Sequence, residues 1–327
     1  MKYLIGTISQ MGSRGMAMVE EKDGKIHLLW EDHSFINPTW ITCAEPGTAY
    51  VVSSNGEGEF TGCINHISYD EKGMKVLESL PTNGNSPCHI VLTEKGRFLV
   101  AANYRSGSVT VMSLNDGSLV KTIQTVAHEG KGVHPQRQEG PHVHQIASIP
   151  TLPHCFCAAD LGTDCLVVYE QDVLCGQVKE RYRVRMPAGE GPRHVAFAED
   201  GTGYVVTELG NKVFPVHFYE TEAVVENGVS TLLQPDIENT AAAITVRDGR
   251  LYVSNRGENT IAVFNPTPLE KVRSIQTVGR DPRDFYLLPE EENILVACQG
   301  DGLYLLRGDT VLDFLPFVGA VRVVCAE

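Results

Sequence analysis

Along most of this chain, apolar and polar positions alternate in short runs that follow the two-residue period of a β-strand and not that of a helix. The stretch SPCHIVLTEKGRFLVAANYRSGSVTVMSL, from Ser86, shows the unit. A short strand leads through a polar turn with Gly to a second apolar strand that ends on a polar residue. A brief turn then opens a third strand. GPRHVAFAEDGTGYVVTELGNKVFPVHFY from Gly191 and TAAAITVRDGRLYVSNRGENTIAVFN from Thr240 repeat this pattern. NPTWITCAEPGTAYVVSSN from Asn37, GPHVHQIASIPTLPHCFCAADLGTDCLVVYE from Gly140 and RDPRDFYLLPEEENILVACQGDGLYLL from Arg280 bring the units to six.

Pro38, Pro87, Pro141 and Pro192 stand 49, 54 and 51 residues apart. A repeat of about 50 residues made of short strands, without long amphipathic helices, predicts an all-β fold: a β-propeller with one four-stranded blade per unit. The C-terminal AVRVVCAE reads as an innermost strand, and KYLIGTIS, GMAMVEE and KIHLLWE at the N-terminus read as the second, third and fourth strands of the same blade. Pairing the last strand with the first closes the ring and removes the edges an open array would expose. Residues 1–327 are therefore expected to form one seven-bladed domain.

In such a blade the innermost strand lines a central channel and the second runs antiparallel to it. The start of one and the end of the other meet at the same mouth. The first column reads Thr39, Cys88, His142, Arg193, Ala242, Arg283, and the second Asn55, Asn103, Asp160, Glu208, Asn255, Gln299. Asn and Asp suit strand-closing turns, where their side chains cap backbone groups. Glu208 does not, and a carboxylate beside the channel points to function. His142 and Arg193 are read as equivalent, His144 projects from the same face as His142 one step further down, and Arg256 follows Asn255. Two histidines, two arginines and a glutamate are thus expected at one opening. The long polar connection TVAHEGKGVHPQRQEGP has the length of segments that close over ligands, which makes His128, His134 and Arg137 candidates for a lid.

The formal net charge of −14 argues against nucleic acid or an anionic membrane surface as a partner. The apolar runs are strand-sized, too short to span a bilayer, and the N-terminus lacks the apolar core of a secretory signal. The nine cysteines, Cys155 and Cys157 among them, fall mostly in strand-like runs and read as reduced, buried thiols of a cytoplasmic protein. Nothing in the pattern sets an oligomeric state.

HEGKGVHPQRQEGPHVHQ, GEGPRHVAF, VVTELGNKV and VSNRGENTIAVF resemble the lactonase family of seven-bladed propellers. That family includes the bacterial 6-phosphogluconolactonases of the propeller type and the fungal 3-carboxy-cis,cis-muconate lactonizing enzyme. The resemblance covers nearly the whole chain and is weaker in MGSRGMAMVEE and NGEGEFTGCINHI. It implies a metal-independent, cofactor-free site of one His, two Arg and one Glu. Matched motif by motif, these are Arg193, Glu208 and Arg256, with the histidine in HVH, as His144 in preference to His142.

Ring opening of a small anionic sugar lactone would use Glu208 or His144 as base. Arg193 and Arg256 would hold the anionic groups and the developing charge. His142, Asn103, Arg137, Asp160, Asn255 and Arg283 are expected to add substrate contacts. Cyclisation of a muconate needs the same parts, and a propeller without WD-type motifs could still be a non-enzymatic binding disc. A zinc ion at HVH would need a third ligand, such as Asp160 or Glu208. The arginines facing the same opening would repel it.

Overall fold

The computed structural model describes every residue except 10, 11, 13, 14, 290 and 291, so part of the divergent MGSRG segment lies outside the described residues. The described residues fold into seven antiparallel sheets with essentially no helix among them. Blades 1 to 6 span residues 41–81, 87–127, 143–185, 192–230, 240–276 and 282–316. In each, the strands lie in chain order from the channel outward, and blade 4 carries one additional short strand, Val229–Ser230, beside its third. Blade 7 is a composite: Ala320–Cys325 is innermost and pairs antiparallel with Lys2–Thr7, followed by Met16–Lys22 and Lys25–Asp32. The innermost strands touch one another in ring order and the circle closes, as the repeat predicts.

The second strands are apolar on both faces because every blade is sandwiched between two others. In Phe98–Asn103, Phe98, Val100 and Ala102 pack toward blade 3, while Leu99 and Ala101 pack toward blade 1. Seven apolar clusters result, one at each blade–blade interface. Alternate residues of one strand thus serve two different cores. The scaffold holds the polar ends of the inner and second strands in a fixed circle.

Candidate active site

One irregularity recurs around the ring. In blade 2, Pro87 pairs with Asn103 but His89 pairs with Ala102, so Cys88 has no rung of its own. The same slip leaves out His144 in blade 3, Arg193 in blade 4 and Arg283 in blade 6. A bulge re-aims the extra side chain, and here each one is turned into the channel. Cys88, His144 and Arg283 line a mouth cavity of about 480 Å³. Arg193 lines a small adjoining pocket with His194 and Trp40, which shares Cys88, His144 and Arg283 with the larger cavity.

This pairing corrects the equivalence of His142 with Arg193: the counterpart of Arg193 is His144. In blades 2, 4 and 6 the proline immediately precedes the bulged residue, whereas Pro141 comes three residues before His144. Blade 3 begins its strand at Val143 and leaves His142 outside. The His142 ring stacks on Tyr104, 4.6 Å between centroids and 14° from parallel. Its Nδ1 lies 3.1 Å from the Tyr104 carbonyl oxygen and its Nε2 is 3.3 Å from Glu139.

The second column also shifts. Thr207, not Glu208, occupies the last rung between second and third strands, the one that Asn103, Asp160 and Asn255 fill in their blades. Glu208 stands one residue beyond, level with Tyr104 and Arg256, and these three side chains line the cavity. Asn103, Asp160 and Asn255 lie beneath it, fully buried. Asn103 donates to Ser108 and Thr110; Asn255 is held by Thr231 and Thr260. Asp160 accepts from the backbone of His142 and Gly162 and lies 2.8 Å from His128. Most of their polar atoms are committed to the turns and Asn103 Oδ1 is sealed from solvent without a partner, so the direct substrate contact expected of them would require opening those turns.

Glu208 is gripped by three guanidiniums. Oε2 lies 3.0 Å from Arg193 Nε and 2.9 Å from Arg256 Nη2, and Oε1 lies 2.5 Å from Arg137 Nη2. Burial opposes ionisation of this carboxyl, but the three arginines outweigh it and hold its pKa well below the usual range. Arg283 differs: its Nη1 donates to Gln299 at 2.9 Å, and no carboxylate pairs with it among the described residues. Burial and the neighbouring Arg256 pull Arg283 down to about 10, so it stays charged at neutral pH. Burial and the same neighbour bring Arg193 to about 9. The cavity therefore carries a surplus of buried positive charge, and an anionic ligand would neutralise it.

His144 is buried, and its Nδ1 is sealed from solvent without a hydrogen bond. Desolvation, then Arg193, Arg283 and Arg256, hold its pKa well below 6.5. The imidazole is thus neutral at physiological pH and able to accept a proton. Cys88 shares the wall, but burial pushes its thiol up to about 12, which removes it as a nucleophile.

The long polar connection before blade 3 is pinned by Gln138, whose Nε2 donates to the Leu161 carbonyl at 2.8 Å and to Asp164 at 2.7 Å. From that anchor Arg137 reaches into the cavity. His128 and His134, expected beside it, turn elsewhere. His128 lies between Asp160 and Tyr169, and His134 accepts from the backbone of Gln136 and Arg137. Tyr104 and Arg105 in the wall escaped the sequence reading. The signal for Tyr104 was present, since it follows Asn103 as Arg256 follows Asn255. No group of three or more His, Cys, Asp or Glu side chains suited to a cation occurs among the described residues.

Residues 2–305 match the family model described as Lactonase, 7-bladed beta-propeller. The chain is 31% identical over 322 residues to a 6-phosphogluconolactonase of Bacillus subtilis, covering 93% of this chain and 90% of that one. Among solved structures it is similar to the periplasmic gluconolactonase PpgL of Pseudomonas aeruginosa, at 27% identity and a TM-score of 0.87 over 100% of this chain and 99% of the other. A chain from Bacteroides fragilis shares the fold at 24% identity and a TM-score of 0.87, over 99% and 98% of the two chains.

Proposed function

Since the chain belongs to the lactonase family of seven-bladed β-propellers, we propose that it hydrolyses a phosphorylated sugar lactone of the 6-phosphogluconolactone kind, without a metal. The observation that carries this reading is the surplus of buried cations around a neutral histidine. Glu208 satisfies parts of Arg137, Arg193 and Arg256, while Arg283 awaits an anion.

His144 is the base. Glu208, clamped by three guanidiniums, has lost the basicity that the task needs; its role is to aim the arginines. Water added to the ring carbonyl gives its proton to His144. A bound anion offsets the arginines that depress the histidine and so raises its proton affinity at the moment of use. Arg256 and Arg193 stabilise the negative charge that grows on the carbonyl oxygen, a preorganised contribution made where solvent is excluded. Arg283 holds the permanent charge of the phosphate. His142 supports this arrangement by fixing Tyr104.

The relative from Bacillus subtilis supports the choice of a phosphorylated lactone. All nine cysteines are free, which supports a reducing compartment such as the cytoplasm. No helix is long and apolar enough to cross a membrane among the described residues. The test is proton release at neutral pH from 6-phosphoglucono-δ-lactone, glucono-δ-lactone and a carboxymuconate, with spontaneous hydrolysis subtracted. Turnover of the phosphorylated lactone above the others, undiminished by chelator, supports the reading. Turnover of the muconate alone overturns it.

A further inference from the structure

Ring opening leaves an alkoxide that needs a proton, and the one acid among the groups assigned so far is the His144 imidazolium formed when water loses its proton. Glu208 is ionised, His144 takes a proton, the arginines act as fixed charges, and the Cys88 thiol is turned toward backbone carbonyls. We propose that Tyr104 is the acid that protonates the departing ring oxygen, an assignment that rests on the lactonase reading above.

Tyr104 occupies in blade 2 the position that Glu208 and Arg256 occupy in blades 4 and 5: one residue past the last rung between second and third strands, at the cavity wall. Its ring is fixed from two sides, face to face with His142 and edge-on to His144 at 5.5 Å between centroids and 81°. Its hydroxyl oxygen accepts from Arg137 Nη2 at 3.2 Å. The same nitrogen lies 2.5 Å from Glu208 Oε1, so Arg137 is itself anchored. With the oxygen receiving Arg137, the hydroxyl proton is left to donate, and no acceptor for it stands among the described residues. Burial raises the Tyr104 pKa above its ordinary value, which keeps the phenol protonated at neutral pH. Arg137 acts in the opposite sense and stabilises the phenolate once the proton has left. The Ser and Thr hydroxyls in the wall are far weaker acids.

The step balances as follows. The water oxygen bonds to the carbonyl carbon, and its proton passes to His144. The bond from that carbon to the ring oxygen breaks, its electron pair staying on the ring oxygen, which takes the Tyr104 proton. The phenolate beside Arg137 then recovers a proton from the His144 imidazolium through solvent. Lactone and water become a hydroxy acid, with both side chains restored.

The test compares Tyr104→Phe with wild type on the phosphorylated lactone and on the matching thiolactone, whose thiolate leaves without needing a proton. The assignment predicts that kcat on the oxygen lactone falls by about 100-fold while kcat on the thiolactone stays within about threefold. An equal loss on both substrates, with an unchanged melting temperature, would show that the ring merely positions its neighbours and would overturn the assignment. No loss on either overturns it too. Arg137→Met should show the same substrate dependence to a smaller degree. If wild type opens neither substrate, the lactonase reading itself fails, an outcome distinct from an active wild type with an equally active Phe variant.

Discussion

Replacing Glu208 with Gln keeps the shape of the side chain and removes one charge from among three cations. At an effective dielectric of about 20, unit charges roughly 4 Å apart attract by about 4 kcal/mol. The Arg137 side chain is 37% exposed, so its share is discounted for solvent screening. The Arg193 and Arg256 contacts are buried, and breaking buried pairs that leave charges uncompensated costs about 3–5 kcal/mol after desolvation. In a domain of this size about 1 kcal/mol moves the unfolding midpoint by roughly 2 °C, so Tm should fall by about 6–10 °C. The same substitution frees positive charge for ligands. Inorganic phosphate should therefore bind the variant more tightly, by about tenfold for each ~1.4 kcal/mol of attraction released. The two effects have opposite signs, and thermal melts with and without phosphate read both. A Glu208→Gln protein that melts within about 2 °C of wild type, where a loss several-fold larger is expected, and gains no more from phosphate would refute the reasoning.

Arg283→Met should lower phosphate protection in the same melts and raise KM for the phosphorylated lactone by about 10–100-fold, while the unphosphorylated lactone is little affected. Stability should also fall on mild acidification. His89, His144 and His194 are buried and neutral, each held well below 6.5 by desolvation and by arginines. Below that pH the unfolded chain binds protons that the folded one refuses. Folding is thus weakened as pH drops, by up to about 1.4 kcal/mol per pH unit for each histidine. Melts between pH 7 and pH 5.5 check this, and His89→Gln should flatten the slope.

The architecture could be read from the chain because each blade repeats one alternation and the two ends carry complementary parts of a seventh. The site was legible as a set of motifs but not as a register. A bulged residue opposes no partner, so spacing alone could not show that His144, and not His142, matches Arg193. The three-residue interval after Pro141 concealed the offset. Thr207 standing where blades 2, 3 and 5 have Asn or Asp moved Glu208 out of the capping column and into the cavity wall. The segment that carries Arg137 was visible as a long polar connection. Which of its residues faces the cavity depends on the Gln138 anchor to Leu161 and Asp164, contacts made across the fold. Tyr104 resembled an ordinary turn residue until Arg137 and the two histidines were seen around it.

At the centre of the account, bulged and turn residues of different blades meet in one cavity, where His144 removes the proton from water. The most direct test follows proton release from 6-phosphoglucono-δ-lactone by wild type, His144→Gln and His142→Gln under identical conditions. His144→Gln should lose about a thousandfold in kcat and His142→Gln no more than about tenfold. Full activity in the His144 variant, or loss confined to the His142 variant, would contradict the account.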